Sequence, residues 1–139
     1  MKQRTLCIVK PHAEKKGYTN EIASRIENSG LQISKIDYVQ LTKEQAEKLY
    51  GVHKERSGYE DLIRCSTEGP CHVMVIEGKN AVKRLRELMG NIKDPDTLRG
   101  KFGEQEGDSP DWICHNAIHG SDSVENAKKE IAIFFPDED

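Results

Sequence analysis

The chain has 139 residues, 35% hydrophobic and 32% charged, with 21 basic against 24 acidic side chains and a formal net charge of -3. That length and apolar content suit a single globular domain, expected to span residues 1–139, and exclude a disordered or fibrous chain. The near balance of charge excludes a protein that holds nucleic acid by bulk phosphate attraction, so no specific nucleic acid is expected and any anionic partner must be met locally.

Met1-Lys2-Gln3-Arg4 leads straight into a strand-like segment, without the apolar stretch of a signal peptide. The longest aliphatic or aromatic run, Ile131 to Phe135, is far short of the ~20 residues of a membrane span, so a cytoplasmic protein with no membrane partner is expected. Thr5 to Val9, stopped by Pro11, reads as a strand covered on both faces and central in its sheet. Thr19 can cap a helix carrying Ile22, Ala23 and Ile26, which Gly30 ends. Leu31 to Leu41 returns as a strand whose apolar residues change phase between Ile33 and Ile36, which predicts a bulge. Thr42-Lys43-Glu44-Gln45 is a capping box for a helix carrying Ala46, Leu49 and Tyr50. A second short helix starts near Tyr59 with Leu62 and Ile63, and Gly69-Pro70 closes it before the continuous apolar strand Cys71 to Ile76.

Asn80 can cap the next helix, whose apolar set is Ala81, Val82, Leu85, Leu88 and Met89, and Gly90 ends it. From Asn91 to Ser109 the hydrophobic pattern lapses, which predicts a long functional loop with one helical turn near Thr97. Trp112 to Ile118 is predicted as a strand. Asp122-Ser123-Val124-Glu125 starts a last helix with Val124, Ala127, Ile131, Phe134 and Phe135 along one stripe. The order predicts an α+β ferredoxin-like sandwich, a four-stranded antiparallel sheet with helices packed on it. Four strands leave too few crossovers for a doubly wound parallel sheet.

The four cysteines, Cys7, Cys65, Cys71 and Cys114, show no C-x-x-C spacing and are expected as free thiols of a reducing compartment. Cys114, His115 and His119 lie close in sequence. Adjacent residues of a strand point to opposite faces, however, so no metal site among the side chains is expected.

Neither standard phosphate cradle is present: there is no G-x-x-x-x-G-K-[ST], and Gly100, Gly103 and Gly107 lack the strand-turn-helix setting of a dinucleotide fingerprint. Asn116-Ala117-Ile118-His119-Gly120-Ser121-Asp122-Ser123 puts a histidine at the end of a strand, just before a helix N-terminus. Read alone, His119 is more readily a ring satisfied by its own turn. Glu130 changes that balance, because it lies about 60° from Ala127 on the helical wheel and faces back toward the strand. A carboxylate that fixes the proton on one imidazole nitrogen leaves the other lone pair free to attack.

With these segments in view the chain resembles the nucleoside diphosphate kinases over nearly its whole length. The resemblance rests on T-L-C-I-V-K-P at Thr5 to Pro11 and on Gly69-Pro70 leading into V-M-V-I-E-G at Val73 to Gly78. It rests also on R-E-L-M-G at Arg86 to Gly90 with T-L-R-G at Thr97 to Gly100, and on N-A-I-H-G-S-D-S followed by E-N-A-K-K-E-I. It implies that His119 is the phosphorylated nucleophile and that Glu130 and Ser121 orient its ring. It implies also that Lys10, Arg86 and Arg99 hold the transferring phosphoryl group, that Tyr50 lies against the site and that Asn116 binds the sugar. The implied reaction moves the γ-phosphoryl group of a nucleoside triphosphate, with Mg2+, to a nucleoside diphosphate by a ping-pong route, weakly selective for base and sugar. A non-catalytic nucleotide-binding or regulatory member of the family is the alternative.

The chain departs from the family pattern in places. His12 stands where the family usually has aspartate, so what that carboxylate stabilises is missing or remade. Gly58 stands near the usual base-stacking phenylalanine, with Tyr59 as its possible substitute. The loop between Gly90 and Thr97 is short, with Ile92 at the place of a phosphate-touching threonine, and the segment between Phe102 and Asn116 is long. Because the loop shortened here helps build larger rings in many members, the resemblance does not carry a hexamer over, and a dimer or other closed homo-oligomer is expected.

Overall fold

A computed structural model describes residues 2–51 and 54–136; Met1, the pair 52–53 and residues 137–139, at both ends of the expected domain, lie outside that description. The elements in chain order are β1 (Lys2–Val9), α1 (Pro11–Lys15), α2 (Thr19–Asn28), β2 (Gln32–Gln40), α3 (Lys43–Tyr50), α4 (Tyr59–Ser66) and β3 (Pro70–Lys79). There follow α5 (Ala81–Met89), α6 (Leu98–Phe102), β4 (Ile118–Gly120) and α7 (Val124–Phe134). The strands form one sheet in the order β2-β3-β1-β4, and every pairing is antiparallel. This is the α+β ferredoxin-like arrangement expected from the order of elements.

Alternation along the central strands sorts the core into two layers. Cys7, Val9, Met74 and Ile76 face α2 and α5, where Ile22, Ile26, Leu85 and Met89 are buried. Leu6, Ile8, Val73 and Val75 face α3, α4 and α7, with Leu49, Ile63 and Ile131. Strands buried on both faces need continuous apolar runs, which is why β1 and β3 read as such. The bulge in β2 falls between Ile33 and Lys35, as the phase change required.

Local signals succeeded where a side chain reaches its own backbone. Thr42 and Gln45 form the reciprocal capping box, Thr97 caps α6, and Ser123 accepts from the Asn126 N–H. Thr19 and Asn80 do not cap: the Thr19 hydroxyl donates to Glu14, and Asn80 sits in the left-handed region at φ 54 with no side-chain cap. Val124, expected on the buried stripe of α7, is exposed.

Two expectations are overturned. Trp112 to Ile118 is not a strand: its first residues are turns, and pairing to β1 is confined to Ile118–Gly120. The Cys114 and His115 N–H groups both bond the Asp111 carbonyl at 3.0 Å, which curls the backbone away from the sheet. Nor are all cysteines free, because Cys65 and Cys114 are joined in a disulfide, while Cys7 and Cys71 are buried thiols.

Candidate active site

Everything in the site depends on how β4 is seated. His119 pairs with Ile8 of β1, and alternation turns its ring toward α3 and α7. Gly120 turns the other way, where an added Cβ would lie 2.4 Å from Met89 Sδ, so only glycine lets β4 approach α5 this closely. Just before β4, Ala117 has φ 75, a conformation that costs an L residue about 1–2 kcal/mol. The end of β1 holds it there. Lys10 N–H donates to the Ala117 carbonyl at 2.9 Å, and the Ala117 N–H donates to His12 Nε2 at 2.8 Å. The buried His12 ring also stacks on His115, with centroids 4.6 Å apart. His12 is thus the acceptor that satisfies this turn.

The His119 ring is fixed from one side. Nε2 donates to Glu130 Oε1 at 2.7 Å, and the same oxygen accepts the Ser121 hydroxyl at 2.8 Å. Ser121 is in turn held by the Leu6 N–H, 3.2 Å from its Oγ. With the proton on Nε2, the lone pair remains on Nδ1. Tyr50 meets the ring edge-on at 5.5 Å, and burial pushes its phenol well above the ordinary range, so it stays neutral.

A cavity of about 440 Å³ opens over this ring, lined by Lys10, Tyr50, Arg86, Arg99, Asn116, His119 and Glu130 among others. Each comes from a different place in the chain: the end of β1, α3, α5, α6, the turn before β4, β4 itself and α7. Ser121 lies behind Glu130. Arg86 donates to the Gly120 carbonyl at 3.2 Å and Arg99 to the Ile118 carbonyl at 3.4 Å, so both guanidinium groups are aimed by the strand that carries His119. Burial, then the nearby Arg99, pushes Lys10 down to about 7. Burial and Arg86 likewise lower Arg99. Two buried atoms here, Arg99 Nε and Asn116 Oδ1, find no hydrogen-bond partner among the described residues. A cluster of buried cations, in which Arg99 lowers Lys10 and Arg86 lowers Arg99, together with an orphaned donor, fits a polyanion.

Several lining residues carried no clear signal in sequence. Arg56, Lys48 and Lys129 add charge to the rim of the cavity. A neighbouring cleft of about 540 Å³ is lined by Tyr59 and Leu62 on one side and by Ile113 and Asn116 on the other. Ile113 is 73% exposed. Its place was hidden because the segment was read as a strand. Gly58, with φ 87, is the turn that starts α4 and offers no side chain to the cleft.

Asp122 and Glu130 are the carboxylates on the wall of the first cavity; Glu130 is engaged by His119 and Ser121, and Asp122 accepts from the Asn126 amide. A divalent cation accompanying a polyphosphate would therefore be held chiefly by the phosphates, with Asp122 as the protein carboxylate within the same wall.

The family described as Nucleoside diphosphate kinase matches residues 3–139. A nucleoside diphosphate kinase of Nitratiruptor sp. is 47% identical over 137 residues, covering 96% of this chain and 95% of that protein. One from Coxiella burnetii is 46% identical over 137 residues, covering 98% and 96%. Among solved structures, the Aquifex aeolicus nucleoside diphosphate kinase superimposes with a TM-score of 0.87 at 37% identity, covering 97% of this chain and 96% of that one. The apo enzyme from Encephalitozoon cuniculi gives 0.86 at 31% identity, covering 97% and 90%.

Proposed function

The chain belongs to the nucleoside diphosphate kinase family, and we propose that it passes the γ-phosphoryl group of a nucleoside triphosphate to a nucleoside diphosphate through a phosphohistidine at His119. The observation that carries the assignment to His119 is the shared Glu130 oxygen, which ties Nε2 and leaves Nδ1 as the nucleophile under a cationic cavity. Nδ1 attacks the γ-phosphorus, the bond to the β–γ bridging oxygen breaks, and the diphosphate leaves. Glu130 stabilises the positive charge that the ring acquires. A terminal oxygen of the second diphosphate then attacks the same phosphorus, and the N–P bond breaks with return of the lone pair to Nδ1.

Lys10, Arg86 and Arg99 counter the charge that spreads over the equatorial oxygens, the requirement of phosphoryl transfer when no acid or base is needed. Asp122 would stand beside a Mg2+ that accompanies the nucleotide, and the ion would supply charge neutralisation for the phosphates. Asn116 Oδ1 accepts from a sugar hydroxyl, and the base enters between Tyr59, Leu62 and Ile113. Apolar walls grip any base by its face, which accounts for weak base selectivity. The reading extends to a cytoplasmic enzyme acting on soluble nucleotides as a homo-oligomer. Among the described residues no helix is long and apolar enough to cross a membrane.

Incubation with γ-labelled ATP and Mg2+, followed by a GDP chase, tests it. Acid-labile label on the protein, absent from His119→Ala and passed to GDP, is the expected result. ATP binding with no protein label would replace this reading with that of a binding module.

A further inference from the structure

Behind the segment that precedes Asn116, donor groups gather in two sets that share Cys65 and His115. The Cys65 and Cys114 sulfurs and an imidazole nitrogen of His115 lie within 4.8 Å of one another, and so do the Cys65 sulfur, a Glu68 oxygen, an Asp111 oxygen and a His115 nitrogen. Two segments supply them at like spacing. Cys65 and Glu68 are three residues apart where α4 ends; Asp111 and Cys114 are three apart in the turn, with His115 next. Each pair presents its donors from a single turn of backbone, as paired ligands do in compact zinc sites. Cys114 and His115 face α4 together because the turn, not a strand, carries them.

A disulfide uses the two sulfurs and leaves the rest of the cluster unexplained. His115 is 88% buried in its side chain and meets a carboxylate at each ring nitrogen, Glu104 at Nδ1 and Glu68 at Nε2, both at 2.8 Å. Glu104 also accepts the Ser109 hydroxyl, so it is an anchored partner for Nδ1. Nε2, the other ring nitrogen, faces Glu68. Nε2 and the Glu68 oxygen thus lie side by side, placed to serve one ion. The carboxylate–histidine arrangement on the far nitrogen is the support that metal-bound imidazoles carry. Asp111 is already engaged by Arg64, at 2.6 and 3.1 Å, which leaves Glu68 as the carboxylate for the metal.

We propose that the reduced protein binds one divalent cation of the zinc class through the Cys65 and Cys114 thiolates, His115 Nε2 and Glu68. A dithiol reductant brings this about: the Cys65–Cys114 bond breaks, the reductant's own sulfurs join, and its two protons pass to the released thiols. Binding then displaces one proton from each thiol to solvent. The sulfurs separate to about 3.8 Å, the spacing of two thiolates on one tetrahedral zinc. Sulfur donors reject magnesium, so this ion is distinct from the one that travels with nucleotide.

The position has a consequence, which rests on the kinase reading above. The site ties α4, which carries Tyr59 and Leu62, to the segment carrying Ile113 and Asn116, so the metal sets the width of the cleft. It acts on KM for nucleotides and leaves labelling of His119 at saturating ATP unchanged.

The test is titration of the reduced, full-length protein with Co2+ and Zn2+ in the absence of nucleotide. One equivalent of Co2+ with sulfur-to-metal charge-transfer absorption, displaced by Zn2+ and abolished in Cys65→Ser/Cys114→Ser, is the expected result. Glu68→Ala, at a part-exposed position, weakens binding about 10-fold and checks the site if the double variant does not fold. Absence of a charge-transfer band from the reduced wild type overturns the proposal, as does equal binding by the double variant. Neither outcome touches the kinase reading, which the His119 label reports separately.

Discussion

A single oxygen, Glu130 Oε1, receives both the His119 ring and the Ser121 hydroxyl, so three side chains share one geometric error. Glu130→Ala frees the ring to turn and to move its proton. The expected outcome is a loss of about 10²-fold in the rate of His119 phosphorylation with unchanged affinity for the triphosphate. Single-turnover labelling separates the two, and an affinity loss at unchanged rate would refute the role. His119 and Glu130 were legible because a helical wheel and a strand end both have fixed periods. Ile113 and Arg56 were not, since the walls of a cleft are set by turns whose direction no period encodes. Lys10 makes a different kind of prediction. Its folded pKa, about 7, is depressed from 10.5 by burial and then by Arg99. Between those values the unfolded chain binds more protons than the nucleotide-free fold, so this residue's contribution to stability rises with pH there; below about pH 7 both states are protonated and the penalty is full. A polyphosphate restores the lysine charge. Nucleotide binding at about pH 8.5 should therefore take up a proton that Lys10→Met does not, with the difference vanishing at about pH 6. Calorimetry in buffers of unlike ionisation heat measures it, and equal uptake by both proteins at the higher pH would show that Lys10 stays charged without ligand.

At the scale of elements, β4 is a strand of three residues held by what surrounds it. The strained Ala117 precedes it and Gly120 ends it, and His12 is the side chain that satisfies the Ala117 N–H. His12→Phe preserves a flat ring against His115 and removes the acceptor. The buried N–H left behind should cost about 1–3 kcal/mol, read from the denaturant midpoint. The same change should lower activity more than folding, because Lys10, Asn116 and His119 all flank that contact. Unfolding unchanged from wild type would mean that the stack, not the hydrogen bond, seats the turn. Elements whose ends are set by local chemistry were readable: the Thr42 box, the Thr97 and Ser123 caps and the β2 bulge. The Trp112–Ile118 strand was misread for a tertiary reason. Its β-forming residues are claimed by α4 through the Cys65–Cys114 bond and by Glu104 and Glu68 through His115, contacts 11 to 49 residues away in sequence. Thr19 shows the same override in small, with its hydroxyl given to Glu14 instead of its own helix.

For the whole molecule, the layer order followed from the run of apolar segments, because two continuous strands demand cover on both faces and the helices are the cover available. What a lone chain does not complete is the outer edge of that sheet. β2 is an edge strand of nine residues, with no neighbour beyond it among the described residues. Ile36 and Tyr38, on one face of it, are 53% and 55% exposed. A long edge with exposed large side chains invites another chain, and a two-fold pairing of β2 with its copy satisfies the backbone and buries both residues at once. The isologous contact closes on itself, so the smallest assembly it predicts is a dimer. In Ile36→Lys/Tyr38→Lys each copy would set two ammonium groups against two others across the axis, and the strand would repel its mate. Light scattering should give the wild type twice the chain mass or a higher even multiple, and the double variant the mass of one chain with its His119 labelling retained. A wild type that stays monomeric at every concentration would show that the edge is protected by its own twist, and would remove β2 as the surface of assembly.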